Sequence, residues 1–138
     1  MTAVRKITLL GSTGSIGENT LDVVARHADR FQVCALTANK SIEKIFSQCQ
    51  RFHPKYAVML DHGSAATLEN KLKTAGLDTQ VLSGVESLEK VASLPEVDIV
   101  MAAIVGAAGI RPTIAAARSG KSVMLANKET LVMAGRIF

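Results

Sequence analysis

The stretch Leu9–Gly17, LLGSTGSIG, runs the end of an apolar segment into three glycines. Gly11, Gly14 and Gly17 are spaced G-x-x-G-x-x-G, a variant of the more familiar G-x-G-x-x-G dinucleotide fingerprint. Upstream, Ile7–Leu10 reads as a short buried strand; downstream, Ile16, Leu21, Val24, Ala25 and Ala28 recur at near-helical spacing. A strand, a glycine turn and a helix in that order can cradle phosphate. The helix start offers unpaired N–H groups and the positive end of its dipole. Gly11 permits the tight turn, Gly14 leaves no Cβ between backbone and phosphate oxygens, and Gly17 lets the helix pack closely on the sheet. Thr13 and Ser15 add hydroxyl donors. A glycine turn also serves chain geometry alone; its position between first strand and first helix favours the dinucleotide reading.

The same alternation continues outward. FQVCAL (31–36), YAVML (56–60), TQVLS (79–83), DIVMAAI (98–104) and SVMLAN (122–127) read as strands. Between them lie helical patterns: one capped by Ser41 and stopped by Pro54, one from about Ser64 to a C′ glycine at Gly76, a short one over Glu86–Leu94, and an Ala-rich one with Pro112 in its first turn, ended by Gly120. Short connections and strict alternation predict an α/β fold. The expected form is a Rossmann-type doubly wound, mostly parallel sheet with helices on both faces. The chain reads as one domain, complete at its N-terminus and cut at Phe138 inside a further helix.

Composition narrows the function classes. The chain has 138 residues, a net charge of +4 and only 4% aromatic residues, so it offers no stacking platform for bases. Its basic residues are scattered, and no nucleic-acid partner is expected. No apolar run approaches the length a membrane helix needs, and no targeting segment precedes the glycines, so no membrane partner is expected either. Cys34 and Cys49 show neither metal nor disulfide spacing and read as buried thiols in a reducing compartment, the cytoplasm.

The second strand should end near an adenosine ribose. NAD binders usually place an acid there. LTANKS (36–41) has none; Asn39, Lys40 and Ser41 supply hydrogen-bonding groups and a cation. An ammonium attracts a 2′-phosphate that a carboxylate repels, so the reading is NADP. A solvated loop lysine is the plainer alternative for Lys40. MAAIVGAAGIRPT (101–113) places small residues at a strand's carboxyl end, which suits either a flat ring or close helix packing. LANKET (125–130) brings Asn127, Lys128 and Glu129 to the expected crevice; Lys128 suits an anionic substrate and Glu129 a ribose hydroxyl. Ordinary solvated charges at a helix start fit these three equally. His27, His53 and His62 show no ligand spacing, and Asp22 and Asp98 read as surface groups. Neither catalytic nor metal-binding residues are expected in this chain.

GSTGSIGENTLDVV (11–24), AAIVGAAGIRPT (102–113) and LANKETLV (125–132) together resemble the 1-deoxy-D-xylulose 5-phosphate reductoisomerase family, and the resemblance runs over the whole chain. It implies that residues 1–138 are an N-terminal NADPH-binding domain, with the metal-binding catalytic and C-terminal domains absent from this chain. That family converts 1-deoxy-D-xylulose 5-phosphate to 2-C-methyl-D-erythritol 4-phosphate by rearrangement and NADPH-dependent reduction, in non-mevalonate isoprenoid synthesis. It uses Mg²⁺ or Mn²⁺ and is typically a homodimer. By resemblance Thr13, Gly14, Ser15 and Ile16 meet the NADPH phosphates, Lys40 and its neighbours the 2′-phosphate, Asn127 and Glu129 the cofactor, and Lys128 a small phosphorylated sugar substrate. Asn39 departs from the glycine the family often has before its lysine or arginine. The chain alone is expected to bind NADPH without turning over substrate. Two other readings are the cofactor domain of another NADPH-dependent reductase, against which LANKE argues, and a free-standing NADP-binding module, against which the stop at Phe138 argues.

Overall fold

Strands β1 (Arg5–Leu10), β2 (Phe31–Ala38), β3 (Tyr56–Met59), β4 (Gln80–Ser83), β5 (Ile99–Ala102) and β6 (Ser122–Leu125) alternate with helices α1 (Ser15–Arg26), α2 (Ile42–Phe52), α3 (His62–Thr74), α4 (Val85–Ala92) and α5 (Ile110–Arg118). A computed structural model describes residues 4–104 and 106–125. The strands form one sheet in the order β4-β3-β2-β1-β5-β6, and every neighbouring pair is parallel. The expected doubly wound architecture is present. The chain steps outward from β1 to β4, then returns to lay β5 against the other side of β1.

Side-chain alternation divides the core between two faces. Ile7 and Leu9 of β1 pack with Leu21 and Val24 of α1, Ile45 and Cys49 of α2, and Leu68 and Leu72 of α3. On the opposite face Leu10 and Val100 pack with Ala92 of α4 and Ala116 of α5, while Val58 meets Leu88 and Val91. Both faces of the sheet are covered, which is why its strands read as continuous apolar runs. The β1–β2 register carries a bulge: Ile7 faces Val33, but Thr8 faces Ala35, leaving Cys34 as the extra residue.

Local details correct three expectations. Ser41 precedes α2 but makes no side-chain cap bond. The helix after β3 starts at His62 rather than Ser64, because Asp61 is its N-cap and accepts from the Ser64 N–H at 2.9 Å. Ile16 lies on α1 but is 42% exposed and stays outside the core. Elsewhere the punctuation behaves as read: Gly76 and Gly120 have φ of +74° and +77° just past their helices. Cys34 and Cys49 are buried and unbridged, and burial pushes the Cys49 thiol up to about 12, so it stays protonated and inert.

Candidate functional site

The crossover places the carboxyl ends of β1, β2 and β5 side by side, and the glycine turn lies where the winding changes direction. Such a switch point is where open α/β sheets hold ligands. Gly11 has φ +83°, and a Cβ there would stand 2.9 Å from the Ala103 carbonyl oxygen after β5. A Cβ on Gly17 would run into the Gly11 carbonyl oxygen and come within 2.7 Å of Ser12 backbone atoms. Both glycines are therefore fixed by close backbone approach. Gly14 differs: nothing lies within 4 Å of its Cβ position, so its bareness faces open space.

Beyond Gly14 the α1 ladder begins with the Glu18 N–H on the Gly14 carbonyl, at 2.9 Å. Gly14 supplies no side-chain cap. The N–H groups of Ser15, Ile16 and Gly17 thus precede the ladder, at the positive end of α1. Gly14, Ser15 and Ile16 are exposed and Thr13 is half-buried. The turn is anchored from below by β2: Thr37 Oγ1 accepts the Gly11 N–H, and the Thr37 carbonyl accepts both the Ser12 N–H at 2.8 Å and the Ser12 hydroxyl.

Asn39, Lys40 and Ser41 are all exposed and follow β2 just after Thr37, which is hydrogen-bonded to the turn. Lys40 makes no ion pair among the described residues. Asn39 has no positive φ, so its backbone does not call for glycine. The sequence reading missed an acid here. Asp61, at the end of β3, donates its N–H to the Asn39 carbonyl at 3.3 Å. Its carboxylate accepts from the Ser64 N–H and hydroxyl, which with the nearby Lys40 charge hold it below its usual range. It is engaged as a helix cap, which leaves Lys40 as the cation at the end of β2.

The Ala- and Gly-rich stretch after β5 divides its labour. A Cβ on Gly109 would meet the Ile104 carbonyl oxygen at 2.9 Å, so this glycine serves packing. Gly106 has φ +85° and open space around it. Asn127, Lys128 and Glu129 lie outside the described residues. Among the described residues no group of three His, Cys, Asp or Glu is placed to hold a metal ion. No helix there is long and apolar enough to cross a membrane.

Comparison with known proteins places these motifs. A family model for 1-deoxy-D-xylulose 5-phosphate reductoisomerase matches residues 7–135. The 1-deoxy-D-xylulose 5-phosphate reductoisomerase of Nitrosomonas europaea is 73% identical over all 138 residues, and that of Nitrosospira multiformis is 72% identical. The chain spans about a third of the length of these curated relatives: 33% and 35%. Among solved structures, a DOX-P reductoisomerase in complex with NADPH, fosmidomycin and magnesium superposes with a TM-score of 0.88 at 45% identity. The match covers 96% of this chain and 32% of that one. The Zymomonas mobilis enzyme in complex with NADPH gives 0.86 at 43% identity, over 98% of this chain and 35% of its own. With the family model spanning residues 7–135 and relatives this similar over the whole chain, the chain belongs to the 1-deoxy-D-xylulose 5-phosphate reductoisomerase family.

Proposed function

We propose that this chain is the NADPH-binding part of an enzyme that converts 1-deoxy-D-xylulose 5-phosphate to 2-C-methyl-D-erythritol 4-phosphate. The observation that carries the reading is the pairing of the open α1 N-terminus at Gly14 with Lys40 beyond β2. The first offers amides to a pyrophosphate and the second a cation to a 2′-phosphate. Thr13, Gly14, Ser15 and Ile16 hold the pyrophosphate, with Gly11 shaping the cofactor turn beneath them; Asn39, Lys40 and Ser41 hold the 2′-phosphate. Asn127 and Glu129 reach the cofactor, and Lys128 takes the substrate. Bound NADPH supplies hydride. This chain's residues bind and orient it.

The relatives' greater length supports the reading that the Mg²⁺ or Mn²⁺ ligands and the catalytic groups belong to residues outside this chain, which by itself is proposed to turn over no substrate. The whole protein is proposed to act as a homodimer in the cytoplasm on a small phosphorylated sugar, within non-mevalonate isoprenoid synthesis. Calorimetric titration tests the cofactor reading. NADPH is expected to bind more tightly than NADH, and Lys40→Ala to remove about tenfold of that preference, the scale of one charge-assisted contact. Equal affinities in the unaltered chain refute it.

A further inference from the structure

We propose that Gln48, on α2, is a positioning residue for nucleotide binding whose amide aims the backbone N–H groups of the glycine turn. The inference rests on the NADPH reading above.

Gln48 Nε2 donates to the Ser12 carbonyl at 2.8 Å, bridging the groove between α1 and α2. One helical turn earlier, Lys44 Nζ reaches the Thr13 carbonyl at 3.4 Å while pairing with Glu18 at 3.5 Å. Carbonyls 12 and 13 are thus both drawn toward α2. In a trans peptide the carbonyl and the following N–H point in opposite directions, and the described residues contain no cis bond. Fixing the Ser12 carbonyl on Gln48 therefore turns the Thr13 N–H away from α2, and Lys44 does the same for the Gly14 N–H. Lys44 is exposed and its contact long, so Gln48 is the stronger of the two restraints.

The other end of the amide shows why this residue is not explained by the fold. Gln48 Oε1 is buried and has no hydrogen-bond partner among the described residues. Leaving a buried carbonyl unpaired costs more than one neutral hydrogen bond returns. An apolar side chain of equal length would remove that orphan but leave the buried Ser12 carbonyl without its donor, so the two effects on the fold offset. What it would lose is the hold on the Ser12 carbonyl, and with it the direction of the turn's amides.

The test is calorimetric titration of the chain with NADPH and with NADH, alongside thermal unfolding. Gln48→Met keeps the length and removes both polar ends. Both dissociation constants are expected to rise by the same factor, about three- to tenfold, with little change in Tm, because losing the orphaned Oε1 offsets unpairing the Ser12 carbonyl. Gln48→Glu, which cannot donate when ionised, is expected to give the same paired loss, and carries the test if Gln48→Met does not fold. Lys40→Ala, run alongside, weakens NADPH alone. Unchanged affinities, or a loss confined to NADPH, overturn the role of Gln48. So does a fall in Tm in both variants that accounts for the lost affinity. An unaltered chain that binds neither nucleotide overturns the cofactor reading and this inference together; tight binding unmoved by either variant overturns this inference alone.

Discussion

Thr37 Oγ1 accepts the Gly11 N–H at 2.8 Å and donates to the Leu9 carbonyl at 3.2 Å. One hydroxyl thus ties β2 to the last residues of β1 at the point where the chain leaves the sheet. Thr37 is fully buried, so its hydroxyl has no water as a substitute.

Thr37→Val keeps the shape and removes the hydroxyl, leaving the Gly11 amide unpaired. The expected loss is about 1–3 kcal/mol, read as a lower midpoint in urea at unchanged slope. An unchanged midpoint would show that the turn holds itself without β2.

The glycines of the turn separate fold from ligand. Gly17→Ala drives a methyl into Ser12 backbone at 2.7 Å, which no side-chain rotation relieves. It is expected to lower stability by about 1–3 kcal/mol in the same unfolding experiment. Gly14→Ala meets nothing within 4 Å and starts from a φ of −79° that alanine accepts. Its cost in stability is expected to be about 1 kcal/mol or less, while NADPH binding weakens about tenfold because the methyl occupies the space kept for phosphate. Equal effects on stability from the two variants would contradict this division.

Asp61 gives the chain an acid-sensitive helix start. The Ser64 N–H and hydroxyl favour its ionised form in the folded state, so its folded pKa lies below the unfolded one. Its contribution is complete above the unfolded value of about 4 and is lost as pH falls through the lower folded value. The Tm difference between the unaltered chain and Asp61→Ala should stay constant from neutral pH to about pH 5, then shrink in more acid solution. A difference independent of pH down to the acid limit would remove Asp61 as the cap.

Much of this was legible because parallel α/β units write their period into the sequence. Each apolar run from Ile7–Leu10 to Ser122–Leu125 marks a strand, the central β1, β2 and β3 most deeply buried and the edge strands β4 and β6 partly exposed, and Pro54, Gly76 and Gly120 stop the helices where read. The glycine turn was legible because phosphate binding and tight turning want the same residue. Right-handed crossovers pointed to a doubly wound sheet, and the strand order itself comes from the structure. Side-chain bonds between distant segments were not legible. Thr37 to Gly11 and Gln48 to Ser12 span 26 and 36 residues, and neither residue type marks a phosphate turn. Asp61 was missed for the same reason: it enters from β3, and only the parallel pairing of β2 with β3 brings it beside Asn39. Ser41 looked like a cap by residue type, yet its hydroxyl makes no cap bond.

The bulge in β2 has a consequence for the turn. Val33 and Leu36 pack on the α1–α3 side, while the two consecutive residues between them, Cys34 and Ala35, both pack on the other. The extra residue reverses the phase of everything after it. Strict alternation from Val33 would send Thr37 to the same side as Val33; the bulge sends it to the opposite one, opposite Leu36 and Ala38. Without the bulge, regular pairing of the same sequence would deliver Leu36 to the place of Thr37, and the Gly11 amide would find an apolar side chain where it now finds an oxygen.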